Sequence, residues 1–312
     1  MHHLSRSGPD LDVVVVGNIG IDTNVYLPGQ DIDFSREANF TDNLDGVGQA
    51  GGYSARGWAR LGYRTAFIGC VGDDFSGRHI RATLERDGID TTGLFIDPAG
   101  TSRSVNLMYR DGRRKNFYDG KSHMSLMPDL EMCRRVLERA RLVHVHLPNW
   151  ARHPLPIARE LGLTVAVDLQ DVADPDDPYR RDFIEAADIL FFSGVNHGDP
   201  RRLIERFRAG RPERVVVVGM GADGAALADR NGVRVAPPVT MAAPVVDTNG
   251  AGDGLAVGFL SGYVFDEGDA DRALRRGQIV ARHTCTLRGK SEGLIDREAL
   301  ERHDGSCRRR QG

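Results

Sequence analysis

The 312-residue sequence predicts an α/β fold in which helices flank a mainly parallel sheet. Short valine-rich runs alternate with segments of helical periodicity, a pattern typical of parallel strands covered by helices. The composition, 40% hydrophobic and 27% charged, is sufficient for one large core. The expected strands are 13–16, 65–70, 142–146, 164–168, 189–192, 215–218 and 243–246. The expected helices are 50–61, 75–86, 156–161, 203–207, 251–264 and 271–286.

Two segments, 22–45 and 100–120, interrupt this alternation. They contain strand-like runs such as 104–109, which precedes the Asp111-Gly112 turn, and these runs favour strands outside the core sheet. The chain shows no internal repeat and no second core. We therefore expect one domain over residues 11–300.

The chain ends and the charge balance limit the possible partners. Residues 1–10 are polar and residues 303–312 are largely basic, so we expect flexible tails and no secretory signal. No apolar run approaches the ~20 residues that span a bilayer, and a net charge of −3 gives no broad attraction for nucleic acid or anionic membrane. A cytoplasmic protein is expected. The cysteines form no CxxC pair and are expected to be reduced thiols: Cys70, Cys133, Cys285 and Cys307.

The most informative segment is 247–253, with the sequence DTNGAGD, at a predicted strand-to-helix turn. Glycines allow backbone amides to point outward, and a helix N-terminus carries partial positive charge. The amides of Gly250, Ala251 and Gly252 can therefore cradle a transferring phosphoryl group, and Asp253 can accept a hydroxyl proton. The alternative interpretation is an ordinary Asn-Gly turn followed by a helix-capping acid.

This heptapeptide resembles the DTxGAGD signature of the PfkB, or ribokinase-like, family of carbohydrate kinases. The resemblance implies a ribokinase-like core in which segments 22–45 and 100–120 form a small β lid, and it implies phosphorylation of a sugar or nucleoside hydroxyl with ATP and Mg²⁺. By resemblance, Asp253 is the catalytic base and Gly250 to Gly252 form the anion hole. The family also places Asp247 near the nucleotide phosphates and a monovalent cation such as K⁺, and Thr248 beside ATP.

Substrate contacts are expected from the first half of the chain. Asp22 follows the first strand and resembles the family's substrate-binding aspartate, although an acid that caps a loop is the alternative. The stretch 48–55, GQAGGYSA, resembles the family's N-terminal signature, which assigns Gly51 and Gly52 to substrate binding. Tyr53 stands where the family usually has asparagine, and its ring can stack on a substrate or fill space. A plain glycine-rich helix entry is the alternative for this stretch.

Two loops resemble the family's nucleotide site with departures. In 193–196 the family often has Asn-x-x-Glu, whose glutamate organises Mg²⁺, but this chain has Asn196, so another acid or the nucleotide itself must serve. Residues 219–224 fit GxGxxG, but the following Asn231-Gly232 turn predicts a hairpin instead of the helix that a dinucleotide site requires. By resemblance Gly219, Gly221 and Gly224 lie against ATP, with Gly219 where many relatives have threonine.

Other candidates lie on neighbouring elements. His144 and His146 share one strand face, and a core or crevice-lining role is favoured over metal binding because no third ligand has suitable spacing. Asn149 follows at the strand end, where open α/β sheets place ligands. Asp168 and Gln170 resemble the family's Asp-x-Asn. For the basic run 113–115, a solvated turn is the default and an anion clamp the alternative. By resemblance, His283 and Ser291 border the adenine.

These patterns favour an ATP-dependent kinase. The alternative is a catalytically silent ligand sensor that retains the fold, suggested by the departures at Tyr53, Asn196 and Gly219, whereas retention of Asp253 favours the enzyme. Open lid edges favour a homodimer.

Overall fold

The computed structural model describes residues 9–29, 31–110, 113–266, 269–289 and 291–305. Its strands in chain order are β1 Val13–Val16, β2 Gly20–Tyr26, β3 Asp42–Gly48, β4 Thr65–Val71, β5 Asp90–Ile96, β6 Arg103–Met108, β7 Arg114–Asp119, β8 Leu142–Val145, β9 Thr164–Asp171, β10 Ile189–Ser193, β11 Val215–Gly219, β12 Ala225–Asp229 and β13 Gly232–Ala236. Its α-helices are α1 Gln49–Arg60, α2 Phe75–Arg86, α3 Leu130–Leu137, α4 Leu155–Glu160, α5 Arg181–Ala186, α6 Arg201–Arg208, α7 Ala251–Leu260, α8 Ala270–Thr284 and α9 Arg297–Asp304.

A nine-stranded sheet forms the core, in the order β13-β12-β11-β10-β9-β8-β1-β4-β5. The pairs from β11 to β5 are parallel, and β12 and β13 form an antiparallel hairpin at the other edge. Alternation along β1 divides the hydrophobic core between the two faces, because successive strand side chains point to opposite sides. Val13 and Val15 pack with α1, α7 and α8, whereas Val14 and Val16 pack with α3 to α6.

A second, four-stranded sheet, the lid, has the order β3-β2-β6-β7. β2 pairs antiparallel with β3 and parallel with β6, and β6 pairs antiparallel with β7. The prediction of an α/β core with a small β lid is thus confirmed. The strands occupy the two segments that interrupt the alternation, although residues 111 and 112 of the predicted turn lie outside the described residues.

Several local predictions were wrong. Residues 243–246 form no strand, and Val245 and Val246 are exposed. The backbone N–H groups of Val246 and Asp247 donate to the carbonyl of Cys285 at the end of α8, so this segment is held by a helix terminus instead of a sheet. The elements β5, α3, α5 and α9 were not predicted.

The last helix extends into the segment that was expected to be a tail. α9 continues through His303 and Asp304, and the Asp304 side chain is only 2% exposed and accepts a 2.9 Å hydrogen bond from Arg272. Residues 1–8 and 306–312 of the predicted tails, with Cys307, lie outside the described residues. No helix in the described ranges combines the length and apolar character needed to cross a membrane.

Candidate active site

The motif turn 247–250 leads directly into α7. Gly250 is the N-cap of α7 and has a φ of +74°, a left-handed conformation that favours glycine. The N–H of Ala251 donates to the carbonyl of Thr248 at 3.2 Å. The N–H groups of Gly250 and Gly252 donate to no acceptor in the described part of the chain. Two of the three amides of the predicted anion hole are thus available to a ligand at a helix N-terminus.

Asp253 lies in the first turn of α7, and its side chain is 13% exposed. Burial raises the pKa of Asp253 well above its usual range, and the nearby carboxylate of Asp168 raises it further, while Arg114 lowers it. Asp168 lies on β9, and burial raises its pKa to about 6. A carboxylate with a raised pKa at a helix start is suited to take up a proton near neutral pH.

The lid presents a polar face that the strand register builds in rows. Asp22 of β2 pairs with Ser104 of β6, and Ser104 pairs with Tyr118 of β7. Two further rows follow the same alternation: Asn24, Asn106 and Asn116, then Tyr26, Met108 and Arg114. Side chains two residues apart on a strand share a face. The β7 members of these rows are exposed, whereas most of the β2 and β6 members are buried, so this face is open to solvent only along β7.

Hydrogen bonds join this lid face to the motif turn. The Asn249 side-chain amide donates to Asn24 Oδ1 at 2.9 Å, and Asn106 donates to the same oxygen at 3.0 Å. The guanidinium of Arg114 donates to Asn249 Oδ1. Asn24 in turn donates to the carbonyl of Gly289 at 2.9 Å. The motif turn and the lid are therefore one connected polar network.

Asp247 is part of that network. Its Oδ2 accepts hydrogen bonds from the Tyr26 hydroxyl at 2.7 Å and from the Gly289 N–H at 3.0 Å, and its Oδ1 accepts one from the Asn249 N–H at 2.8 Å. A carboxylate has about four acceptor positions. The carboxylate of Asp247, for which a monovalent cation nearby is predicted, ties the motif turn to β2 and to the loop after α8.

The predicted substrate residues divide into two groups. Asp22 is buried, its pKa is raised by that burial, and one of its oxygens accepts a 3.0 Å hydrogen bond from the N–H of Gln49 at the start of α1. Asp22 therefore stabilises a helix start and also lies on the polar lid face. By contrast, Gly51 and Gly52 allow close packing, because Cβ atoms there would lie 2.5 Å from the Asn18 carbonyl oxygen and 3.1 Å from Ile19 Cγ1.

Tyr53 and Asn149 make contacts within the protein. The Tyr53 ring packs against the motif turn, since a Cβ on Gly250 would lie 2.4 Å from its Cδ1. Tyr53 as a whole is only 5% exposed. Asn149 donates a 2.7 Å hydrogen bond to the carbonyl of Met124 and so holds the loop that follows β7.

The predicted nucleotide residues come together in part. The loop of Gly219, Gly221 and Gly224 and the loop of Asn196 follow the neighbouring strands β11 and β10, and the N–H of Gly194 donates to the Gly219 carbonyl at 2.8 Å. Thr248 is exposed beside Asp247. The Asn196 side chain donates a 2.8 Å hydrogen bond to Asp171 at the end of β9. An exposed carboxylate, Asp171, thus lies beside the position where the family often has glutamate.

His283 and Ser291 form internal hydrogen bonds. A ring nitrogen of His283 lies 3.0 Å from the Gly293 carbonyl. Ser291 is buried, accepts a 2.5 Å hydrogen bond from Arg56 and donates to the carbonyl of Val47. Ser291 therefore joins α1 to the end of β3.

Sequence reasoning did not identify Asn24, Asn106 or Asp171 as site residues, and for Arg114 it favoured a solvated turn over an anion clamp. The available signal was the period-2 recurrence of polar residues in β2, β6 and β7. It identifies a shared strand face, but only the pairing of distant strands shows that the face lies beside the motif.

Comparison with known proteins agrees with this architecture. The family model described as pfkB family carbohydrate kinase matches residues 10–160 and 183–297. The acarbose 7(IV)-phosphotransferase of Actinoplanes sp. is 35% identical over 301 residues, covering 93% of this chain and 97% of that protein. The ATP-dependent ribose-1-phosphate kinase of Halopiger xanaduensis is 32% identical over 263 residues, covering 78% and 83%.

Solved structures give the same result. The microbiome-derived acarbose kinase Mak1 superposes with a TM-score of 0.86 at 33% identity, covering 95% of this chain and 99% of that one. The Arabidopsis thaliana ribokinase complexed with ribose and ATP has a TM-score of 0.77 at 21% identity, covering 94% and 98%, and shares the fold.

The chain therefore belongs to the pfkB family of carbohydrate kinases. It is a phosphotransferase with an alcohol group as acceptor.

Proposed function

We propose that this protein transfers the γ-phosphoryl group of ATP to a hydroxyl of a sugar that binds between the lid face and the motif turn. The observation that carries the proposal is the position of Asp253, a partly buried carboxylate at the start of α7, with available amides at Gly250 and Gly252. Positioned amides and a general base are the parts that phosphoryl transfer requires.

A sugar fits this site better than a nucleoside. The Tyr53 ring, which was the candidate for stacking on a substrate, packs on Gly250 and is buried. The lid face instead presents exposed polar side chains along β7, the amide of Asn116 and the guanidinium of Arg114, which are suited to hydroxyl groups. Two relatives at 33–35% identity are named for acarbose, so an acarbose-like oligosaccharide is the first acceptor to examine.

The proposed chemistry is an in-line attack by the acceptor hydroxyl on the γ-phosphorus. Asp253 takes the hydroxyl proton as the new O–P bond forms and the bond to the ADP oxygen breaks. The amides of Gly250 and Gly252 stabilise the negative charge on the transferring group. The lid face orients the acceptor and excludes water, which limits hydrolysis of ATP.

The residues present fit Mg²⁺ beside the nucleotide. Asp171 and Asn196 supply oxygen atoms at the ends of β9 and β10, and Mg²⁺ prefers oxygen ligands and retains several waters. We propose that these two residues hold hydrated Mg²⁺. When bound, the ion neutralises phosphate charge.

The test is an acceptor panel assayed with ATP and Mg²⁺. ADP release and product mass are measured for monosaccharides, sugar phosphates, nucleosides and acarbose, with Asp253→Asn as the control for contaminating kinases. We expect turnover with a sugar or oligosaccharide acceptor that the control lacks. Turnover that is equal in the control, or saturable binding of a sugar with no ADP release from any acceptor, would contradict the proposal and favour a ligand sensor.

A further inference from the structure

His146 lies one residue beyond β8, and its imidazole is completely buried. Its Nε2 is 3.0 Å from Ser54 Oγ on α1. Its Nδ1 has no hydrogen-bond partner among the described residues and lies 4.0 Å from Asp253 Oδ1. One ring nitrogen is thus held by α1 while the other faces the catalytic carboxylate.

An unsatisfied buried polar group costs about 1–3 kcal/mol, so its retention calls for a reason. Burial lowers the pKa of His146 well below its usual value, and the adjacent ring of His144 lowers it further. The imidazole is therefore neutral near pH 7, with one donor and one acceptor nitrogen. Because the Ser54 hydroxyl can donate to Nε2, the proton can reside on Nδ1, where it faces Asp253.

The groups around Asp253 explain why such a donor is useful. Asp168 on β9 and Asp22 on β2 disfavour the ionised carboxylate, and Arg114 on β7 favours it. The nearly buried phenol of Tyr53 on α1 also lies within electrostatic range. A donor that hydrogen-bonds only the ionised carboxylate would lower the pKa of Asp253. It would therefore favour the ionised form that a general base needs.

The neighbouring histidine has a different partner. Trp58 Nε1–H donates to His144 Nδ1 at 3.4 Å, and the two histidine ring centroids are 4.7 Å apart. His144 is thus held by Trp58 of α1, and its ring packs against that of His146. Its Nδ1 is engaged by Trp58 and is not a partner for Asp253.

We propose that His146 is a positioning residue for Asp253. The Nδ1–H of His146 forms a hydrogen bond to the ionised carboxylate of Asp253 when the site closes on its substrates. The inference rests on the proposed role of Asp253 as the base. As Asp253 takes the acceptor proton, this hydrogen bond weakens, and it re-forms when the proton is released. His146 itself stays neutral throughout.

Three variants separate the two ends of the ring. His146→Asn keeps an N–H near the position of Nδ1, His146→Gln keeps one near Nε2, and His146→Leu keeps neither. The pH dependence of kcat/KM is measured for each, with KM for ATP and thermal stability recorded alongside. We expect the acidic limb to move up by about one pH unit in the Gln and Leu variants, with a roughly tenfold loss of kcat at pH 7.

The Asn variant should recover most of that loss, and KM for ATP should be unchanged in all three. An unchanged acidic limb in every variant, or recovery by Gln and not by Asn, would overturn the proposal, since the ring would then serve only Ser54. Inhibition by micromolar Zn²⁺ that requires His146 would also overturn it, because a metal ion held with Asp168 and Asp253 would then be the partner of Nδ1.

A second measurement needs no turnover. ¹⁵N-histidine NMR of the full chain, with the His146 signals assigned through the Asn variant, reports the tautomer directly. We expect a neutral ring protonated at Nδ1 whose shift responds to pH in the wild type and not in Asp253→Asn. An Nε2–H tautomer would refute the positioning role even if no sugar acceptor has been identified. If the proposed kinase function fails, the tautomer can still be measured.

Discussion

Replacing Gly250 by alanine tests the geometry of the turn that begins α7. At its φ of +74°, a residue other than glycine costs about 1–2 kcal/mol. The new Cβ would also lie 2.4 Å from Tyr53 Cδ1, and overpacking of this kind costs about 1–3 kcal/mol. We therefore expect Gly250→Ala to lower the free energy of unfolding by about 2–5 kcal/mol.

Gly252→Ala is the matched control two residues away. A Cβ there meets no atom within 4 Å, and the residue lies in the first turn of α7. Alanine is preferred to glycine inside helices by about 0.5–1 kcal/mol, so this variant should be as stable as the wild type or more so. Urea unfolding followed by circular dichroism gives both values.

A double-mutant cycle with Tyr53→Ala separates the two costs of the Gly250 change. Removing the ring relieves the overpacking but leaves the backbone strain, so the coupling energy should be about 1–3 kcal/mol. The described turn geometry is contradicted if the free energy of unfolding of Gly250→Ala lies within about 0.5 kcal/mol of the wild-type value. It is also contradicted if no coupling energy to Tyr53 is measured.

Three further changes test the lid and the carboxylates. Arg114→Ala should lower kcat/KM for the acceptor about tenfold, because a charged donor to Asn249 is lost. Lys115→Ala, on the opposite face of the same strand, should leave kcat/KM unchanged. Equal effects of the two substitutions would contradict this prediction. Asn24→Ala should cost about 1–3 kcal/mol in urea unfolding, because buried partners lose their hydrogen bonds; an unchanged unfolding midpoint would count against the network. Asp168 holds in the folded state a proton that the unfolded chain releases, so wild-type stability should fall as pH rises from 3.8 to about 6. Asp168→Asn should flatten that fall, and an unaltered pH profile would argue against the raised pKa.

The elements predicted correctly are those with strong local signals. The strand Val13–Val16 and the helix Phe75–Arg86 have the predicted bounds, since the first is uniformly apolar and the second is capped by Asp74, which accepts a hydrogen bond from the Gly77 N–H. The apolar run 243–246 failed as a strand because a tertiary contact, the carbonyl of Cys285, holds its backbone. Hydrophobic periodicity in a four-residue run cannot show whether the run pairs in a sheet or is held by the end of a helix.

The candidate site shows the same division. The motif 247–253 identified the family and the helix start, because its signal is contained in seven consecutive residues. The position of the polar lid face beside the motif turn could not be predicted. It depends on contacts between residues far apart in sequence, such as Asn24 with Asn106 and Asn249. The packing of Tyr53 on Gly250 likewise depends on the angle between α1 and α7.

The central claim is that Asp253 is the base for phosphoryl transfer. It is tested most directly by single-turnover transfer rates for the wild type, Asp253→Asn and Asp253→Ala with saturating ATP and the best acceptor, together with calorimetric ATP affinities. We predict rates about 10²–10⁴-fold lower in both variants with ATP affinity essentially unchanged. Rates within about tenfold of the wild type, or a loss explained entirely by weaker ATP binding, would contradict the account.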